Sequence, residues 1–246
     1  MLICAHSAKV ISIDGVLSTI DLVNTMALNY GVIEMTSKKY METEATSIIA
    51  NVTCCLSQRG NYIAYLDETI FHPQGGGQPS DIGYIGTAKV FKVEDNQGTI
   101  EHYIDTPIDV GPTQIAINQE LRVLHSKLHS IGHLIGNIGA SFGWSPSKAH
   151  HWPNECRVEF VQGDNATSLT AEDFQKKYSV LIDSNAELKV EENSKGQRLV
   201  SFGDLKAWSC GGTHVSSFRE LPNNLIISVK YKKQKMIVRY DMEGSH

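Results

Sequence analysis

Two groups of metal-type side chains lie far apart in this chain, and a fold that brings them to one point is more restricted than any local pattern requires. His125, His129 and His133 recur every four residues in HSKLHSIGH. On a helix, side chains four apart stand one turn apart on the same face, so HSKLH or HSIGH can aim two imidazoles at one ion. Cys210 and His214 bracket a flexible Gly-Gly step in CGGTH and add a thiolate and a third imidazole. The resulting N₃S donor set is borderline-soft and suits Zn²⁺ better than Mg²⁺ or Ca²⁺. Each half alone is common as surface or core decoration, and it is their presence in one chain that points to metal. Spacing does not choose between HSKLH and HSIGH. It does disfavour a zinc protease, whose general-base glutamate would sit inside the helical motif, where Ser130, Ile131 and Gly132 stand here.

The rest of the chain reads as an α+β protein of two domains, which 246 residues can supply with a core each. From Thr46 to Leu66, β-branched and aromatic residues flank a turn at Arg59, Gly60 and Asn61. A second hairpin is predicted where residues 88–94 and 99–104 flank Asp95, Asn96, Gln97 and Gly98. Beyond Pro112 the period changes: Leu121, Leu124, Leu128, Ile131 and Ile135 mark an amphipathic helix over 119–138. Gly132, Gly136 and Gly139 each cost that helix about 1 kcal/mol relative to alanine, so either sheet packing or substrate access should bring something close to its backbone. A second helix follows Thr170, capped with Asp173 and carrying Phe174, Tyr178, Leu181 and Ile182 on one stripe. The chain closes with strands paired around Lys233 and Gln234. The domains are accordingly placed at 35–112, a small β-barrel, and 113–246, with 1–34 as an extension outside the core.

A net charge of −5 argues against a protein that coats DNA or RNA nonspecifically, although Lys230, Lys232, Lys233, Lys235 and Arg239 concentrate cations in the last hairpin. No apolar run approaches the roughly 20 residues needed to cross a bilayer. Five cysteines, an odd number in a long chain, fit reduced thiols or metal ligation, and a cytoplasmic protein is expected.

Three blocks resemble the editing domain of alanyl-tRNA synthetases and its free-standing AlaX relatives: FHPQGGGQPSDIG from Phe71, HSIGHLI from His129 and DLKAWSCGGTHV from Asp204. SKAHHWPNECRVEF from Ser147 adds a weaker similarity. The related threonyl-tRNA synthetase editing domains share both metal pairs but lack the glycine-rich block. The resemblance implies a small β-barrel followed by a zinc-binding α+β editing domain of the threonyl/alanyl type. It also selects His129, His133, Cys210 and His214 as ligands of one zinc ion and leaves His125 outside. The glycine before the second ligand, Gly132, departs from the larger residue of many relatives.

The function so implied is hydrolysis of the ester in mischarged tRNA(Ala), seryl-tRNA(Ala) first and glycyl-tRNA(Ala) as the alternative. A zinc-stabilised tRNA-binding module without deacylase activity is the competing reading. Gln78, His129 and His133 are the expected catalytic residues, with Gln78 a candidate reader of the serine hydroxyl. A glutamine that ties the glycine-rich loop to its own backbone is the plainer alternative. Gly75, Gly76 and Gly77 can bring backbone N–H groups to a phosphate or oxyanion or simply form an inter-domain turn, and Asp81 fixes that turn. These residues and His151 make up the expected substrate-binding set, with Ser130, Lys148 and His151 next to consider if Gln78 does not read the hydroxyl.

Overall fold

The computed structural model describes residues 35–242, so the expected extension at 1–34 lies outside the described residues. The chain forms two units. One takes the described residues up to Gly75 together with Ser80–Gln119, and the other takes Gly76–Pro79 and everything from Glu120 onward.

The first unit contains β1 (Ser37–Lys38), β2 (Ser47–Gln58), β3 (Asn61–Leu66), β4 (Glu68–Thr69), β5 (Gly83–Ile85), β6 (Ala88–Asn96), β7 (Thr99–Ile104) and β8 (Gly111–Ile117). β2 buries alternate residues, Ala50, Val52, Cys54 and Leu56, as a two-residue period with one face on a core requires. Its turn into β3 places Arg59 and Gly60 at φ of 47° and 87°, and the turn between β6 and β7 places Gln97 and Gly98 at 55° and 95°. Two consecutive positive φ values match the right-handed twist of the flanking strands and hold both predicted hairpins in tight register. The strands pair in the order β2-β3-β7-β6-β5-β8, and β8 pairs back onto β2. Ile85, Val90, Val93, Ile100, Ile104 and Ile115 fill the interior.

This unit runs past the boundary expected at 112. Pro112 lies within β8 opposite Asn51, and the strand continues to Ile117 with Ile115 buried in the core. Gly76–Pro79, part of the glycine-rich motif assigned to the first domain, groups with the second unit.

In the second unit, helix α1 (Gln119–Ser141) is followed by β9 (Trp144–His150), β10 (Arg157–Gln162), helix α2 (Ala171–Asp183), β11 (Leu188–Glu192), β12 (Arg198–Phe202), β13 (Trp208–Ser209), β14 (Leu225–Lys232) and β15 (Lys235–Met242). One sheet has the order β14-β15-β10-β9 and a smaller one β11-β12-β13. α2 starts at the predicted capping box between Thr170 and Asp173 and buries Phe174, Tyr178 and Ile182. α1 is buried on most of its surface from Leu128 onward, beyond the single stripe of an amphipathic helix. Its glycines explain part of that closeness, since a Cβ on Gly139 would lie 2.3 Å from Cε1 of Phe160 on β10. The substitution-sensitive contact at that position is therefore sheet packing. Among the described residues, no helix is long and apolar enough to cross a membrane.

Candidate metal centre

α1 presents His129 and His133 one turn apart, and the irregular segment after β13 brings Cys210 and His214 to the same point. Their ligand atoms all lie within 4.8 Å of one another, so the four residues could hold a metal ion. Cys210 Sγ is 3.5 Å from His129 Nε2 and 3.3 Å from His214 Nε2. Tetrahedral zinc with bonds of about 2.0–2.3 Å sets neighbouring ligand atoms about 3.3–3.8 Å apart, so these separations are compatible with zinc. His125 is buried on the same helix but is not part of the cluster.

Hydrogen bonding behind the cluster assigns the tautomers. The Gln78 amide oxygen can only accept, so His129 donates from Nδ1 at 2.7 Å and keeps its lone pair on Nε2. Ser130 Oγ spends its proton on the Ser126 carbonyl at 2.8 Å, so it accepts from Nδ1 of His214 at 3.1 Å. The lone pairs are thereby placed on the Nε2 atoms of both rings, the ones near Cys210 Sγ, as ligation would require.

The CGGTH loop is held by its own backbone. Arg198 Nη1 donates to the carbonyls of Cys210 at 2.8 Å and Gly212 at 3.1 Å. Thr213 N–H donates to the Gln78 amide oxygen at 3.0 Å, and its hydroxyl accepts from the Gln78 amide nitrogen at 2.8 Å and pairs with Ser126 Oγ at 2.7 Å. A side chain at Gly212 would strike His129, its Cβ falling 2.2 Å from Cε1.

Burial, with a smaller contribution from Arg198, holds His133 down to about 4, so it is a neutral donor at physiological pH. Burial also pushes the Cys210 thiol up, against the Gly212 N–H and Arg198. A thiolate at that position would need a compensating positive charge, of the kind a metal ion supplies.

His129, His133 and Cys210 of the cluster line a cavity of about 370 Å³, together with Gly76, Gly132, Lys148, His151 and Trp208 among others. Of the expected substrate-binding residues, Gly76 and His151 line it. Gly77, at φ 83°, passes so close to β9 that a Cβ would lie 2.6 Å from the Ala149 carbonyl oxygen, and its own carbonyl accepts from His151 N–H at 2.8 Å. Gln78 is fully buried with its amide engaged as described and is not on the lining, the arrangement of a glutamine that ties structure together. Gly75 and Asp81 belong to the first unit, where Asp81 closes the turn through two hydrogen bonds with the His72 backbone. Ser130 orients His214 and is fully buried.

Arg198, Ser126 and Tyr240 were not singled out from the sequence. Tyr240 carried a usable signal, since a buried tyrosine must find a partner for its hydroxyl. Arg198 carried none.

No family model matches the chain. The alanyl-tRNA editing protein AlaX-M of Pyrococcus horikoshii is 27% identical over 201 residues, covering 77% of this chain and 89% of its own length. The alanyl-tRNA editing protein Aarsd1 of Rattus norvegicus is 28% identical over 217 residues, covering 75% and 53%. AlaX-L of Pyrococcus horikoshii is 26% identical over 232 residues, covering 82% and 56%. The matched part thus spans most of AlaX-M and about half the length of the two longer proteins.

Proposed function

We propose, from the premise that this chain belongs to the AlaX family of alanyl-tRNA editing proteins, that it is a zinc-dependent hydrolase of mischarged tRNA(Ala), with seryl-tRNA(Ala) its first substrate. The observation that carries this reading is the convergence of His129, His133, Cys210 and His214, the first three of them on the wall of a cavity large enough for an esterified amino acid and its ribose. Water attacks the acyl carbon, and the ribose oxygen leaves and takes up a proton, releasing free amino acid and tRNA. His129 and His214 through Nε2, Cys210 through Sγ and His133 would hold the zinc. When bound, the ion supplies a fixed positive charge against which the ester carbonyl or amino group is oriented. Gln78 and Ser130 keep the ligand imidazoles in the required tautomer, and Arg198 keeps the Cys210 loop in place. Gly76 brings backbone to the cavity where a side chain would obstruct the substrate. The first unit is read as the small barrel of the editing family, and the cytoplasm, where charged tRNA is used, as the place of action.

A tRNA partner is supported by the outer face of the four-stranded sheet. Lys230 and Lys232 on β14, Lys235 and Arg239 on β15, Arg157 on β10 and Lys148 on β9 share that face with two acids, Glu159 and Asp241. In a chain of net charge −5 this is a marked segregation of cations, suited to a phosphate backbone. Four protein ligands are also the pattern of a closed structural zinc site, which favours the second reading, a tRNA-binding module without hydrolysis. Incubation with seryl-, glycyl- and alanyl-tRNA(Ala), with and without a chelator, separates them. The hydrolase cleaves the seryl ester in a chelator-sensitive way and spares the alanyl ester; retention of all three esters by the zinc-loaded protein refutes it.

A further inference from the structure

An editing site that removes serine and spares alanine needs a polar group reserved for the hydroxyl, because a small apolar pocket discriminates poorly between the two. Gln78 has its amide engaged inside the protein and does not line the cavity. His151 does line it. The residue is 2% exposed, and its ring stacks on that of His129 with centroids 4.5 Å apart and planes 24° apart, which places it beside the candidate ligand cluster.

The polarity of that ring follows from its partner. Nδ1 of His151 lies 2.5 Å from the Tyr240 hydroxyl, and the same hydroxyl lies 3.0 Å from the Leu128 carbonyl. A phenol has one proton and a carbonyl only accepts, so Tyr240 donates to Leu128 and accepts from Nδ1–H of His151. Nε2 therefore carries the lone pair. The position exists because of two glycines: a Cβ on Gly132 would fall 2.2 Å from Cε1 of His151, and one on Gly77 would fall 3.2 Å from Cδ2. Among the other lining residues, Ser147 donates its hydroxyl proton to the Glu159 carbonyl, and Lys148 and Ser209 are exposed. His151 is thus a cavity-lining residue outside the ligand set whose Nε2 is an acceptor.

We propose that His151 is the specificity-determining residue of the editing site, its Nε2 accepting a hydrogen bond from the hydroxyl of the esterified serine, with Tyr240 as the positioning residue that fixes the tautomer. This rests on the proposed hydrolase reading. Serine and alanine share the amino group and ester and differ in that hydroxyl, so alanine would occupy the site without a partner for Nε2.

The test uses the zinc-loaded full chain and non-hydrolysable seryl and alanyl amides of 3′-amino-3′-deoxyadenosine, with binding followed by calorimetry. The wild type should favour the seryl amide, and His151→Phe should reduce the ratio of the two affinities about tenfold. Tyr240→Phe should reduce it less, because Nδ1, deprived of its acceptor, no longer holds the proton and Nε2 is protonated part of the time. Equal weakening of both amides, or an unchanged ratio, overturns the proposal. Should His151→Phe lose zinc or unfold, an unchanged ratio in folded, zinc-loaded Tyr240→Phe overturns it instead. The hydrolase reading fails on a different result, when the wild type cleaves neither seryl- nor glycyl-tRNA(Ala).

Discussion

Gln78 and His129 are 51 residues apart in sequence, yet the amide oxygen of one accepts from Nδ1 of the other at 2.7 Å inside the second unit. The same oxygen accepts the Thr213 N–H, so one glutamine ties His129 on α1 to the loop that carries Cys210 and His214. Such a link would act on a bound metal rather than on the substrate, because it sets which imidazole nitrogen carries the lone pair and where the ring points.

Gln78→Ala should accordingly weaken zinc binding by about ten- to a hundredfold, the usual consequence of removing a group that orients a ligand. Its loss should slow seryl- and glycyl-tRNA(Ala) hydrolysis together. Competition against a chromophoric chelator gives the affinity, and parallel deacylation assays give the ratio. Normal zinc affinity combined with a loss confined to the seryl ester would return the hydroxyl-reading role to Gln78.

Gly212→Ala tests the loop. The added Cβ would fall 2.2 Å from His129 Cε1, 2.4 Å from its Nδ1 and 2.8 Å from the Gln78 amide oxygen, so neither ligand nor supporting glutamine could stay in place. Zinc content by elemental analysis should fall to a small fraction of one per chain. Full occupancy with unchanged activity would mean that the CGGTH loop is not a ligand loop.

His125→Ala should retain zinc while His129→Ala loses it, since only the second of these imidazoles belongs to the cluster. Removing a buried side chain at 125 still costs stability, on the order of 1–3 kcal/mol, so thermal unfolding should shift even where metal content does not. Zinc loss in the His125 variant alone would transfer the ligand pair to HSKLH.

The two metal-type pairs and both hairpins were legible in the sequence for local reasons, while the choice of HSIGH over HSKLH came from the family resemblance. A four-residue repeat on a helix and a Gly-Gly step constrain their own neighbourhoods, and Arg59–Gly60 and Gln97–Gly98 take up the positive φ values that a two-residue turn demands. The boundary at 112 was not legible, because Gly111 and Pro112 look like punctuation while the pairing of β8 with β2 carries the chain on as a strand. The partners of Gln78 and His151 were beyond local reasoning too. The Tyr240 hydroxyl reaches His151 because β15 pairs with β10 in a register that sets Val238 against Val158, and α1 offers a glycine at 132 above that row. Tertiary register of that kind leaves no periodic trace.

His102 makes the stability of the first unit depend on pH. It is buried between the Ala64 carbonyl, 3.1 Å from Nδ1, and the Thr69 hydroxyl, 2.8 Å from Nε2. The carbonyl accepts from Nδ1–H, so Nε2 accepts from Thr69, and a second ring proton would displace that hydrogen bond. Burial lowers the pKa from 6.5 to about 4, outweighing the backbone contacts that raise it. Between those values the unfolded chain binds a proton that the folded chain does not, so the contribution is complete above about 6.5 and is lost as pH falls toward 4. The full difference is roughly 3 kcal/mol, from about 1.4 kcal/mol for each tenfold change in proton affinity. His133 and His151 act in the same direction but belong to the second unit, so the measurement must be local. Hydrogen exchange of β3 and β7 amides between pH 7 and 4, corrected for the intrinsic pH dependence of exchange, should show falling protection in the wild type. His102→Gln, which has no proton to take up in this range, should start from lower stability at pH 7 and lose protection less steeply. Equal pH slopes in the two proteins would place the sensitivity elsewhere.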